Sequence, residues 1–358
     1  MIASFPGFPR IVRTNGSPFD AGRETGRQLG PSLSAYIDLY LSTGPFLQKN
    51  FDFFSHSKNA ISFLTCLPDR FRLELEGLAQ GAQVSLERIA EWISAEAYML
   101  PNCSGFFLHS RKKIWIGRNN DLWSPGLWGY ALDRRISGRI PTLTFGLAGD
   151  VFSATGLNQA GLWLHYNYLK ALDRDDRDTF LLPNYLQIPD MLEICESLKD
   201  VSCYLSKTLR SDGMMLFVSD TANNEHGIFE CTCQNIIVRQ LQTDLNFTYL
   251  AGTNHYTCPP YINSSLPDRA DSLRRYKRLE ECLESLRKSA KCPGFDSLKA
   301  ILADDLIEKR DPDYGTVYSN LYCPTTNRLW YTFGGYPAAS CGQWRDWVRE
   351  RGRDRETR

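Results

Sequence analysis

Cys103 stands in an unusual setting: in "PNCSGFFLHSRKKIWIGRNND", Pro101 to Asp121, its neighbours are Asn102 and Ser104 rather than apolar residues. A thiolate is a strong nucleophile, and polar flanks at the mouth of a strand suggest chemistry rather than core packing. If Ser110 to Lys113 forms the turn between "GFFLHS" and "KIWIGR", antiparallel pairing sets Cys103 opposite residues 119 to 121. The thiol then lies beside Arg118, Asn119 and Asp121. A guanidinium near sulfur favours the thiolate, and a carboxylate can orient an amine or a substrate. The plainer reading is a surface ion pair between Arg118 and Asp121 at a strand end.

Other chemistries fit less well. A papain-like enzyme needs an imidazole to activate its thiol, and the five histidines are His56, His109, His165, His226 and His255, without the usual Cys-Trp setting at a helix start. A metal site wants clustered ligands, whereas Cys231 and Cys233 alternate along one strand with no second pair nearby and read as core or edge thiols. No metal is expected. "GRETGRQLG" lies within or just before a helix, which is the wrong place for a phosphate loop.

The elements that must hold the thiol change character at residue 103. Before it the chain reads as mainly helical: Ser17 and Pro18 open a helix in "SPFDAGRETGRQLGPSLSAYIDLYL", and "LPDRFRLELEGLAQGAQVSLERIAEWISAEAYML" gives two more, the second from near Ser85. After it come short β-rich runs: "TLTFGL", "GLWLHYNYL", "MMLFVSD", "GIFECTC", "NIIVRQLQ", "FTYLAGTN", "TVYSNLYC" and "RLWYTFGG". Helical stretches at Asn184 to Leu209 and Asp271 to Ala303 interrupt them. This grouping predicts an α+β protein with sheets covered by helices, not a βαβ repeat.

Composition bounds the function. The 358 residues, 42% hydrophobic and 12% aromatic, can bury a large core, and neither a linker nor a repeat demands a second domain. With 41 basic and 41 acidic side chains there is no net field to hold nucleic acid or an acidic membrane surface. The N-terminus lacks a signal-peptide pattern and no run approaches the ~20 apolar residues of a membrane span. Eleven cysteines without CxxC pairs fit reduced thiols, so a soluble, cytoplasmic protein is expected.

Several stretches together carry a family resemblance: "GSPFDAGRETGRQLG", "LEGLAQGAQVSLERI", "CSGFF" with "GRNND", "GLNQAGLWLHYNYL", "GTNHY", "SLRRYKRL" and "TVYSNLYCPTTNRLWYTFGGYP". In order and spacing, over nearly the whole length, the chain resembles the isopenicillin N acyltransferase family of cysteine N-terminal nucleophile (Ntn) hydrolases. The resemblance implies a four-layer αββα sandwich of two mainly antiparallel sheets. It also implies self-cleavage before Cys103, which would leave a helical fragment 1–102 and a core of 103–345 with a charged tail of 346–358. The freed α-amine, with an ordinary pKa near ~8, would serve as general base to its own thiol.

By the same resemblance Asn102, Cys103 and Ser104 are the processing residues, and Asp121 holds the Cys103 amine, with hairpin capping as its plainer alternative. Arg118 sits near the nucleophile. Asn254 in "GTNHY" donates to the oxyanion, or is simply a turn asparagine. Tyr166 and Asn167 line the pocket or pack the core, His255 shapes the "GTNHY" loop, and Trp123 is among the aromatic residues that suit an acyl pocket and a core equally. The implied reaction cleaves an amide or thioester through an acyl-thioenzyme and passes the acyl group to water or an amine, with secondary metabolism as one setting. No cofactor is implied, and acyl-coenzyme A would be a co-substrate. The partners are a small amide, amine or acyl-thioester and the two fragments of the precursor. The sequence departs from the family where glycine and threonine usually flank the cysteine, and where an arginine usually precedes "TVYS": Asp313 and Tyr314 stand there, with Arg310 upstream. An unprocessed binding or scaffold homologue and a thiol–imidazole enzyme using Cys103 with His255 are the rival readings.

Overall fold

The computed structural model describes residue 5 and residues 7–44, 53–97, 101–174, 181–264, 269–289, 292–350 and 353–357. Strand β1 (Ile11–Gly16) is followed by helices α1 (Pro18–Leu29), α2 (Ser32–Leu41), α3 (Phe53–Cys66), α4 (Asp69–Ala82) and α5 (Leu86–Glu96). Ser17 caps α1 by accepting the Asp20 N–H at 3.2 Å, with Pro18 at the first helical position, and Ser85 caps α5 in the same way. Gly22 and Gly26 of α1 face Gly77 and Gly81 of α4. A Cβ at Gly22 would collide with the Glu74 carbonyl, and one at Gly77 with that of Phe19. "GRETGRQLG" is therefore a helix-contact surface where glycine lets two backbones touch.

The remainder runs β2 (Asn102–Ser110), β3 (Lys113–Trp123), β4 (Trp128–Ile136), β5 (Thr142–Leu147), β6 (Thr155–Asn158), β7 (Leu162–Leu169), α6 (Asn184–Ile194), α7 (Leu198–Lys207), β8 (Gly213–Asp220), β9 (Glu225–Cys231), β10 (Ile236–Gln240) and β11 (Phe247–Gly252). Then come α8 (Arg269–Lys288), α9 (Phe295–Leu302), β12 (Tyr314–Cys323), β13 (Arg328–Phe333), α10 (Ala338–Cys341), β14 (Gln343–Glu350) and β15 (Arg353–Thr357). The last two strands continue a sheet through the charged C-terminal stretch. The strands form an eight-stranded sheet, β1-β4-β5-β6-β7-β8-β9-β10, and a seven-stranded sheet, β11-β2-β3-β12-β13-β14-β15. Pairing is antiparallel except between β1 and β4.

The sheets pack face to face through alternating side chains. Phe107 meets Phe217 edge-on with ring centres 5.3 Å apart, and Trp163 stacks on Tyr322 at 5.3 Å. Each such side chain contributes about 1.5–3 kcal/mol by leaving water. The outer face of the seven-stranded sheet packs Phe106, Leu108 and Trp115 against Leu279, Leu283 and Leu298 of α8 and α9. On the other side α1 and α6 cover the eight-stranded sheet, with α4 packed on α1. The result is an α+β fold of four layers, αββα, as the sequence leads one to expect. Tyr36 of α2 closes one end: its hydroxyl donates to the Leu127 carbonyl at 2.6 Å and accepts the Ala148 N–H at 3.1 Å. No described helix is long and apolar enough to cross a membrane.

Candidate active site

The β2–β3 hairpin positions the thiol. Its two turn residues, Arg111 and Lys112, have φ of 50° and 65°, the left-handed pair that a two-residue turn with the right twist requires. That turn sets Cys103 opposite Asn120 and Asn102 opposite Asp121. Alternation then divides the neighbours by face. Arg118 and Asn120 share the inner face with the thiol, while Asn119 and Asp121 point outward to α9 and α8.

On the inner face the Cys103 Sγ donates to Asn120 Oδ1 at 3.4 Å and accepts from Arg118 Nη2 at 3.4 Å. Arg118 is fully buried, donates also to Asn120, and spans the sandwich to the Tyr166 carbonyl at 2.7 Å and Asn167 Oδ1 at 3.4 Å. Burial pushes the Cys103 thiol up, and Arg118 pulls it the other way. The thiol is fully buried.

On the outer face the hydrogen bonds go to the Cys103 backbone. Gly252 pairs with Gly105, so two further residues of the same register bring Asn254 level with Cys103. Asn254 Oδ1 accepts the Cys103 N–H at 2.8 Å, and its Nδ2 donates to the carbonyls of Pro101 at 3.1 Å and Tyr168 at 2.9 Å. Arg275, fully buried on α8, donates to the Cys103 carbonyl at 2.7 Å and to Asn254 Oδ1 at 2.9 Å. Its guanidinium also lies 4.0 Å from Asp121 Oδ2. Asp121 Oδ1 accepts from Thr316 at 2.7 Å, while Oδ2 has no hydrogen-bond partner. Burial raises the Asp121 carboxyl to about 6, against the opposing pull of Arg275.

Of the residues singled out by sequence, Cys103, Arg118, Asn167, Tyr166 and Asn254 thus converge. The Cys103 nitrogen is held by Asn254, and Asp121 stands beside it on the Arg275 side. Asn102 N–H donates to the Tyr314 hydroxyl at 2.7 Å, and the Ser104 hydroxyl is buried without a partner. The Tyr166 ring packs edge-on against Tyr185, and Trp123 against Tyr314 at 4.8 Å. His255 Nδ1 meets Ser272 Oγ at 2.8 Å and Thr253 Oγ1 at 3.2 Å, behind the loop that carries Asn254. Arg310 is half-exposed and pairs with Asp305 at 2.6 Å and Glu308 at 3.1 Å, so it does not take the place beside Thr316. Arg275 and Lys309 supply the cations there, Lys309 Nζ lying 3.1 Å from Asp271. Asn120 and Arg275 were not foreseen. The signal for Arg275 is a charge in register with Leu279 and Leu283, the buried stripe of α8.

The site holds a thiol against the Arg118 guanidinium and the Asn120 side chain and grips the peptide on either side of it. Among the described residues no group of three or more His, Cys, Asp or Glu could hold a metal ion.

No protein-family model and no curated protein sequence matches the chain. Solved structures with a similar arrangement include a mutant conjugated bile acid hydrolase from Clostridium perfringens, at 12% identity over 72% of this chain and 96% of that one, TM-score 0.45. Penicillin V acylase from Agrobacterium tumefaciens matches at 14% identity over 68% and 90%, TM-score 0.45. The Caenorhabditis elegans ortholog of an N-acylethanolamine-hydrolyzing acid amidase matches at 17% over 62% and 93%, TM-score 0.47. At these scores the site itself, not the likeness, has to carry the chemistry.

Proposed function

We propose that the chain is the precursor of a self-activating cysteine Ntn enzyme that cleaves amides. The observation that carries this reading is the double grip on Cys103: Arg118 and Asn120 on its sulfur, Asn254 and Arg275 on its backbone nitrogen and carbonyl. A cysteine that only packs needs neither.

In the first reaction Sγ attacks the Asn102 carbonyl carbon, the Asn102–Cys103 C–N bond breaks, and the nitrogen takes up a proton, leaving a thioester. Water then releases Asn102 as a carboxylate and restores the thiol. Cleavage removes the Pro101 carbonyl from Asn254 Nδ2, freeing a donor that a later oxyanion can use. The new α-amine, held by Asn254 Oδ1, takes the thiol proton when Sγ attacks a substrate carbonyl. Arg118 stabilises the thiolate. The acyl-thioenzyme is resolved by water, or by an amine if the enzyme is a transferase; acyl-coenzyme A would serve as a donor in that case. The thiol's hydrogen bonds run to Asn120 and Arg118, which favours this scheme over a thiol–imidazole pair with His255.

The test is denaturing electrophoresis with intact mass on wild type and Cys103→Ala. Two fragments that meet at the Asn102–Cys103 bond, in wild type alone, are the expected result, together with complete loss of amidase activity in the variant. A single full-length chain in both overturns self-activation.

A further inference from the structure

The loop that leaves β11 carries Thr253, Asn254 and His255, and α8 grips it from behind. The Ser272 hydroxyl, buried in the first turn of α8, accepts the Asn254 N–H at 2.8 Å. Three residues further along the helix, Arg275 donates to Asn254 Oδ1 at 2.9 Å. Residues three apart share a helix face, so one face of α8 holds Asn254 by both its backbone and its side chain.

Arg275 also fixes which way the amide points. A guanidinium only donates, so Oδ1 must face it and Nδ2 must face the Pro101 and Tyr168 carbonyls, at 3.1 and 2.9 Å. The proposed cleavage changes two partners of this amide: it turns the Cys103 N–H into an amine and takes the Pro101 carbonyl away. The bond from Asn254 N–H to Ser272 is untouched by either event.

The hydroxyl is itself held in place. Thr253 Oγ1 lies 2.9 Å from Ser272 Oγ and 3.0 Å from the Ser272 carbonyl, and His255 Nδ1 lies 2.8 Å from Ser272 Oγ. A proton for every contact leaves one assignment: Thr253 donates to the carbonyl, Ser272 donates to Thr253 Oγ1, and His255 Nδ1–H donates to Ser272 Oγ. The other lone pair of Ser272 Oγ then belongs to the Asn254 N–H. At the far end of the loop, buried Glu230 accepts the N–H groups of Thr257 at 2.8 Å and Cys258 at 3.1 Å. A hydroxyl with its proton and both lone pairs engaged has one orientation, and so has the peptide it holds.

We propose that Ser272 is a positioning residue: through the Asn254 N–H it keeps the Asn254 amide aimed at the Cys103 amine and the substrate oxyanion once cleavage has removed the Pro101 carbonyl. This rests on the reading of Cys103 as the nucleophile. A misplacement of about 1 Å in such a group can cost about 10²-fold in rate.

The experiment is a double-mutant cycle of Ser272→Ala and Asn254→Ala on the processed enzyme, with a fluorogenic hexanoyl amide as probe and melting temperatures beside the kinetics. We expect Ser272→Ala to lower kcat about 10- to 100-fold with KM within about twofold of wild type, because the Asn254 contacts it supports strengthen in the transition state. In the Asn254→Ala background the same change should lower kcat no further. Its effect on melting temperature should be equal in both backgrounds, since Asn254→Ala keeps the backbone N–H. An unchanged kcat in Ser272→Ala, or losses that multiply, overturns the proposal. A second arm needs no turnover: hydrogen–deuterium exchange at residue 103 in the uncut Cys103→Ala chain, where Asn254 Oδ1 accepts that amide. Adding Ser272→Ala should speed exchange there by at least about tenfold while Phe106 to Leu108 of the same strand keep their rates. Unchanged exchange at residue 103 overturns the proposal even if wild type cuts itself. Faster exchange supports it even if wild type does not, so the two readings fail separately.

Discussion

Arg70, Glu74, Arg134 and Glu193 form one buried charged cluster, and Cys103, Arg118, Asn120, Asp121 and Arg275 form another. The first is closed. Arg70 donates to Glu193 Oε2 at 2.7 Å and to Glu74, Arg134 donates to Glu74 at 2.9 Å, and two positive groups meet two negative ones. Burial alone would raise Glu74, yet Arg134 and Arg70 hold it below the usual carboxylate range. The second is open: Arg118 Nε, Asn120 Nδ2, Asp121 Oδ2 and the neighbouring Ser104 hydroxyl are buried without hydrogen-bond partners. The closed cluster ties α4, α6 and β4 together. The open one keeps donors and an acceptor in reserve around a thiol, which is what a site needs if charge is to develop there during a reaction.

That contrast is broken most forcefully at Glu74. Glu74→Gln leaves Arg134 and Arg70 short of a carboxylate in a dry place and should cost about 3–5 kcal/mol of stability, read from urea unfolding. The molecules that do fold should still cleave before Cys103 to the wild-type extent. At Arg118 the outcome is the reverse. Arg118→Met removes the charge beside the thiolate, so kcat/KM should fall about 10²–10³-fold, with the alkaline shift in its pH profile that a raised thiol pKa demands. An Arg118→Met enzyme with unchanged kinetics would make the second cluster as structural as the first.

Much of the hairpin was readable from "PNCSGFFLHSRKKIWIGRNND", because two-residue turns fix register and register fixes which residues face each other. The strand-rich runs after Cys103 and the caps at Ser17 and Ser85 were equally plain. Strand β4 was not, because "WGYALDRRI" carries Asp133, Arg134 and Arg135, and only the distant Glu74 makes Arg134 tolerable inside. Strands β1 and β6 and helix α3 also escaped: the strands are short, and β1 pairs in parallel with a strand 120 residues further along the chain. The helical stretch over Asn184 to Leu209 consists of two helices, divided where Ser197 caps α7. Face was the hidden variable at the site. Sequence placed Arg118 and Asp121 together beside the thiol, whereas alternation puts them on opposite sides of the sheet, and Asn120 takes the place beside sulfur.

Asp121 offers a finer probe. An unfolded aspartate titrates near ~3.9, and the buried one at about 6. Between those values the folded chain holds a proton that the unfolded chain has released. The stability this contributes is fully present below ~pH 4 and is lost as pH rises through about 6. Asp121→Asn should therefore match wild type at pH 4 and exceed it at pH 7 by at most about 3 kcal/mol, two pKa units at ~1.4 kcal/mol each, in urea midpoints. Gain in stability with loss of amidase activity is the signature of a group kept for chemistry.

The smallest effect belongs to Ser104, and it separates the two uses of an orphan atom. Its hydroxyl is buried and unpartnered, so Ser104→Ala deletes a desolvated group and leaves a hole no larger than an oxygen. Stability should stay level or rise by about 1 kcal/mol. If the hydroxyl only tolerates its place, the rate at which newly made precursor is cut at Asn102–Cys103 will not change. If it supports the tetrahedral intermediate when Sγ attacks the Asn102 carbonyl, that rate should drop by about tenfold while turnover of substrate by the already cleaved enzyme stays as it was. We expect the second result, because under the proposed cleavage a hydroxyl one residue beyond the Asn102–Cys103 bond, unpartnered in the resting fold, is free to act in it. Time courses of fragment appearance by mass spectrometry, run beside amidase assays of the finished enzyme, decide between them.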